Sequence, residues 1–166
     1  ILVLHYNHGT DHSDEAEALV RKYCEERSIP CKWSKNLQER PPRASLEDFW
    51  RRQRYDFFEE AREDLPVITC HHLDDVVETW LFTAMNGNPY LIPEFRDCYV
   101  RPFLQTRKAI FEDWCDRKNV PYIEDPSNMD TRFMRNFIRH EMLPRVLVVN
   151  PGIHKTLRKK LKHASW

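Results

Sequence analysis

The sequence predicts an α/β domain with a Rossmann-like, mostly parallel sheet and helices on both faces. Two observations predict it. Short continuous apolar runs of β-type residues alternate with longer stretches whose apolar positions recur every three or four residues. The runs at 1–6 and 66–70 are also largely continuous rather than alternating, which is the pattern of strands covered on both faces.

The elements follow in order. Residues 1–6, ILVLHY, read as the first strand. Ser13 is placed to cap the next helix, with Asp14 and Glu15 in its first turn. Ala16, Leu19, Val20, Tyr23 and Cys24 share one helical face until Pro30 stops the helix. Residues 31–34 form a short strand, and residues 35–44, with Pro41 and Pro42, a loop. Ser45 followed by Asp48 resembles a capping box, and Leu46, Phe49, Trp50, Phe57, Phe58 and Ala61 supply apolar faces. Residues 66–70 read as a buried strand and residues 74–85 as a helix, with Gly87 near its end. A strand over 98–101, a helix over 106–118 and a strand over 120–123 come next. The remainder reads helical, punctuated by Pro144 and Pro151. The candidate boundary lies near Asn150, separating a catalytic domain over 1–149 from a basic helical segment over 150–166.

Composition narrows the function classes. No apolar run approaches the roughly 20 residues that span a bilayer. The five cysteines are scattered and odd in number, and none makes a CxxC pair. That usage fits a reduced cytosolic compartment better than disulfides or zinc. Formal net charge is zero, yet from Thr131 onward nine basic residues face one acid, Glu141, a net +8 that leaves −8 for the rest. A basic end of this kind suits a polyanion such as RNA, and equally a solvated helix face. The three glycines, Gly9, Gly87 and Gly152, are far apart, so the sequence holds no glycine-rich phosphate cradle.

Chemistry is sought where strands end. After the first strand come Asn7, His8 and Gly9, a turn suited to a nucleotide or simply to capping a helix. After the third comes the densest polar cluster, HHLDDVVET at residues 71–79. On a helix, His71 and Asp75, His72 and Asp75, and Asp75 and Glu78 would share a face. Carboxylates gathered there, Asp75 and Glu78, can hold Mg²⁺, a hard ion preferring oxygen. A histidine beside them can contact phosphate or assist a leaving group. Acids at a helix N-terminus also complement its dipole, which accounts for Asp74 and Asp75 but not for the paired histidines or Glu78. Further on, Arg132, Arg135 and Arg139 are spaced to form a basic ridge suited to phosphate.

Together these segments are similar to the tRNA(Ile)-lysidine synthetases of the PP-loop ATPase superfamily. The match runs through NHG at 7–9, WRRQRY at 50–55, HHLDDVVET at 71–79, RPFLQTR at 101–107 and EDPSNMDTRFMRNFIRHEMLP at 124–144. DPSN followed by RNFIR is the most specific part. The resemblance implies a PP-loop fold and an enzyme that uses ATP and Mg²⁺ to adenylate the wobble cytidine of a CAU-anticodon tRNA(Ile). L-lysine then displaces AMP to give lysidine. On this analogy His71, His72, Asp75, Glu78, Arg135 and Arg139 are catalytic. Asn7, His8, Gly9, Asn128 and Asn136 border the nucleotide, and Arg132, Arg135, Lys155, Arg158 and Lys159 face tRNA. An oligomer is compatible with this reading. Family members carry an SGGxDS loop ahead of the segment that opens this sequence, so a further βα unit of roughly 30 to 40 residues is expected upstream, and the chain alone is expected to be inactive. Thr10-Asp11 stands where the family usually has Leu-Arg, and Asn86-Gly87 where it has Arg-Gly. The other readings are a tRNA 2-thiolation enzyme, which would call for paired cysteines, and a non-catalytic tRNA-binding fragment or paralogue.

Overall fold

A computed structural model describes residues 1–164. It divides into two units, Ile1–Leu65 and Pro66–Trp166.

The first unit is a βαβ crossover with an added helix. Strand β1 (Val3–Asn7) and strand β2 (Cys31–Lys35) pair in parallel, Val3 opposite Cys31 and Asn7 opposite Lys35. Helix α1 (Asp11–Glu26) joins them. Its cap is Thr10, whose hydroxyl accepts from the Ser13 N–H at 3.2 Å, so Ser13 lies in the first turn rather than at the cap. Helix α2 (Leu46–Ala61) starts at Ser45 as its sequence predicts. Tyr6 packs on Phe57, and His8 on Trp50.

The second unit holds a three-stranded sheet in the order β3 (Val67–Ile68), β5 (Tyr99–Val100), β4 (Phe95–Arg96). The first pair is parallel and the second antiparallel. Helix α3 (Leu73–Met85) supplies Leu73, Val76, Val77 and Leu81 to a core completed by Ile138, Leu143, Ile153, Leu157 and Leu161. Helix α4 (Lys108–Lys118) ends at Asn119 in the left-handed region, φ 52°. The strand expected at 120–123 does not form. The Val120 N–H closes the helix end on Cys115 O, and Tyr122 and Ile123 are exposed rather than covered by a sheet neighbour.

Beyond Pro126–Met129, a single 3₁₀ turn, comes a nearly continuous helical run. Helix α5 (Met134–Phe137) widens into a π-helical turn, Ile138–Met142, and continues as α6 (Leu143–Val149). Pro144 explains the widening. It has no N–H for the His140 carbonyl, and the Leu143 N–H bonds Ile138 O, five residues back.

Helix α7 (Ile153–Ala164) sets Ile153, Leu157 and Leu161 on one stripe against α3. The turn at Asn150 therefore does not isolate the basic segment: its apolar face belongs to the core of the second unit. No helix among the described residues is long and apolar enough to cross a membrane.

Candidate functional site

The site of the second unit lies where β3 runs into α3. His72 is the helix cap, so the helix starts at Leu73: its Nδ1 accepts from the Asp75 N–H at 3.4 Å, and Asp75 Oδ2 accepts from the His72 N–H at 2.8 Å. His71 sits ahead of the helix with its Nδ1 2.9 Å from Thr69 Oγ1, so the helical pairing expected between His71 and Asp75 does not occur.

Glu78, one turn on, is 2% exposed and meets the guanidinium of Arg139 through two bonds, Nε to Oε1 at 2.7 Å and Nη2 to Oε2 at 3.1 Å. This fork ties HHLDDVVET to RNFIRH, segments 61 positions apart at the two bonded residues. The Glu78 carboxylate raises the Arg139 pKa against the opposing effect of burial, with Asp75 and Asp74 adding to it.

Asp74 is a hub that the sequence reading left as a helix-dipole acid. Its Oδ2 accepts from the Lys108 N–H at 2.8 Å, its Oδ1 lies 3.2 Å from His154 Nε2, and Arg107 Nε stands 3.8 Å away. Burial pushes the Asp74 carboxyl up, but the Lys108 N–H, His154 and His72 together outweigh it and hold it below the usual carboxylate range. The Thr106-Arg107 pair of RPFLQTR could have signalled this partner. Nothing in the sequence around His154 could.

Magnesium was expected on Asp75 and Glu78. Both Glu78 oxygens are occupied by Arg139, and no group of three His, Cys, Asp or Glu converges as a metal site among the described residues. The residues as placed do not fit the ion.

The expected arginine ridge is divided. Arg132 precedes α5 and grips Asp130 through Nε at 3.0 Å and Nη2 at 2.7 Å. Arg135 is exposed, and Arg139 turns inward to Glu78. Asn136, expected at the nucleotide, is buried and donates to Ser127 O at 2.7 Å and Asp130 O at 3.0 Å. His140 Nε2 reaches Asn128 O at 2.8 Å. These three bonds clamp the turn over 126–130 onto the helix, with Asn136 buried behind it and Asn128 exposed. On α7, Lys155 and Lys159 are exposed, whereas Arg158 is half-buried.

In the first unit, Asn7 is fully buried. Its amide donates to Asp14 at 2.7 Å and Glu17 at 2.9 Å, and its carbonyl oxygen accepts from the Gly9 N–H at 2.8 Å. Gly9 adopts φ +81°, and a Cβ there would approach Asn36 O to 3.1 Å. His8 lies 5.1 Å from the Trp50 ring centre. Asn7 and Gly9 thus build the strand-to-helix turn, and His8 is stacked beside it.

Parallel strand pairs joined by helices, with polar clusters at the carboxyl ends, define an α/β domain of the kind that sites ligands at those ends. The chain belongs to the PP-loop domain family, whose model matches residues 1–146. It is 32% identical over 168 residues to a tRNA(Ile)-lysidine synthase of Persephonella marina, covering 95% of this chain and 37% of that one. A tRNA(Ile)-lysidine synthase of Pseudomonas fluorescens is 30% identical over 170 residues, with 96% and 38% covered. That of Thermotoga maritima is 28% identical over 165 residues, with 92% and 40% covered. The chain thus spans about two fifths of the length of these curated relatives. In fold it is similar to the U34-tRNA thiolase NcsA from Methanococcus maripaludis, at TM-score 0.69 and 15% identity, covering 99% of this chain and 61% of that one.

Proposed function

We propose that the chain supplies catalytic machinery for lysidine formation on a CAU-anticodon isoleucine tRNA. ATP adenylates the C2 oxygen of the wobble cytidine with release of pyrophosphate. The amine of L-lysine then attacks C2, loses a proton and displaces AMP. The observation that carries this reading is the Glu78–Arg139 fork. It joins HHLDDVVET, which contains His71, His72 and Asp75, to the RNFIR segment on which the resemblance to lysidine synthases chiefly rests.

Each group has a part in this reading. Arg139, fixed by both oxygens of Glu78, holds the RNFIR segment against α3, whose N-terminus favours anions. His72, held by the Asp75 N–H, is oriented to contact a phosphoryl oxygen, and His71 lies beside it. Asp75 retains an oxygen beyond the one taken by the His72 N–H and can accept a proton or orient the incoming amine. Arg135, Lys155 and Lys159 are exposed cations available to tRNA phosphates.

The test is Asp75→Asn in the native protein. The amide keeps an oxygen for the His72 N–H, so the helix start should survive while the charge is lost. ATP-dependent lysine incorporation into tRNA should fall by roughly a hundredfold or more, on the order of 3 kcal/mol of barrier. Activity within about twofold of wild type would remove Asp75 from the machinery and the reading with it.

A further inference from the structure

The side chains of α7 divide by task, and His154 fits neither group. Ile153, Leu157 and Leu161 enter the core, and Lys155 and Lys159 face water. His154 is 8% exposed, yet its Nε2 ends 3.2 Å from Asp74 Oδ1 on α3. Asp74 is held below the usual carboxylate range, so at neutral pH it is ionised and can only accept. The proton of this bond therefore sits on His154 Nε2. Apolar burial is non-directional and leaves α7 room to slide along α3. A hydrogen bond to a charged acceptor has a defined length and direction, and it removes that freedom.

Asp74 in turn borders the candidate site. It lies in the first turn of α3, directly before Asp75, and its Oδ2 is 3.8 Å from His72 Nδ1. The Lys108 N–H holds that same oxygen, so loss of the His154 bond would free α7 rather than Asp74. Beside His154 on α7 stands exposed Lys155, with exposed Lys159 one turn on. We propose that His154 is a positioning residue: through Asp74 it sets the register of α7 against the α3 N-terminus, so that tRNA phosphates held by Lys155 and Lys159 stand at a fixed distance from His72 and Asp75. The tRNA and its reaction rest on the proposed function; the register set by the His154–Asp74 bond does not. A misplacement of about 1 Å can cost roughly a hundredfold in rate, while the cations that bind the tRNA stay exposed.

The experiment compares His154→Leu and His154→Gln with wild type in the native protein, by steady-state lysine incorporation into tRNA. Leucine fills the buried space without a donor, whereas the glutamine amide can place its N–H near the imidazole Nε2 position. His154→Leu should lower kcat roughly tenfold or more and leave KM for tRNA within about twofold. His154→Gln should recover most of kcat. Unchanged kcat in His154→Leu, equal losses in both variants, or a rise in KM alone overturns the proposal. Imidazole nitrogen NMR of wild type at neutral pH decides independently of whether any variant folds. A proton on His154 Nε2 supports the bond, and the Nδ1–H tautomer overturns it. Absence of lysine incorporation by wild type would instead sink the proposed function, and the register would stand or fall on the nitrogen spectrum.

Discussion

Removing Arg139 should cost the fold more than removing the charge of Glu78, and the difference follows from where each side chain lies. Glu78 is 2% exposed at its side chain and Arg139 30%. Breaking a buried pair costs about 3–5 kcal/mol because one charge is left without its partner. In Arg139→Met the stranded group is the Glu78 carboxylate, which cannot reach water, so the full range applies. In Glu78→Gln the stranded group is Arg139, which can turn its guanidinium outward, so the cost should sit near or below the lower end, about 2–3 kcal/mol. At roughly 2–4 °C per kcal/mol for a chain of this size, Arg139→Met should lower Tm by about 6–20 °C. The double variant Glu78→Gln/Arg139→Met strands neither charge and should be no less stable than Arg139→Met alone. Thermal and urea unfolding at pH 7, followed by far-ultraviolet circular dichroism, measures all three. Strictly additive losses, or a loss below about 1 kcal/mol in Arg139→Met, would refute the view that the fork joins α3 to the Ile138–Met142 turn.

Asp74 predicts a pH dependence. Its folded pKa is depressed, so it contributes stability that is present above the unfolded value and lost as pH falls through the folded one. The stability gap between wild type and Asp74→Asn, measured by urea unfolding, should therefore be widest at neutral pH and shrink below about pH 4; a gap that stays constant down to pH 2 would show that the carboxylate charge contributes nothing. For the basic helix, Lys155→Ala and Lys159→Ala should leave Tm unchanged because both side chains are exposed. Each should reduce the slope of log K against log salt for tRNA binding by roughly 0.7 to 0.9, and unchanged slopes would take α7 out of the interface.

Local chemistry in the sequence determined where most elements form. A serine cap starts α2, the apolar runs at β1 and β3 become strands, and the histidines and acids of HHLDDVVET fall at the carboxyl end of β3 because an apolar strand must end there. Two local departures from the pattern have local causes: the Thr10 hydroxyl, not Ser13, accepts the bond that caps α1, and the left-handed turn at Asn119 closes α4 where a strand was expected. Residue types and spacing also placed the carboxylates and arginines in a single candidate set. They could not say which of them would meet.

That was decided by tertiary structure. A 3–4 spacing makes Arg132, Arg135 and Arg139 look equivalent, but Asp130 holds the first, water surrounds the second and buried Glu78 draws in the third. Asp74 looks like a dipole acid until α4 and α7 bring Lys108 and His154 to it. Helix α7 looks like the start of another domain until Leu157 enters the core beside α3. The physical reason is the same each time: an ionisable side chain is worth what its partner and its burial make it worth, and both are set by contacts across tens of residues that no local pattern encodes.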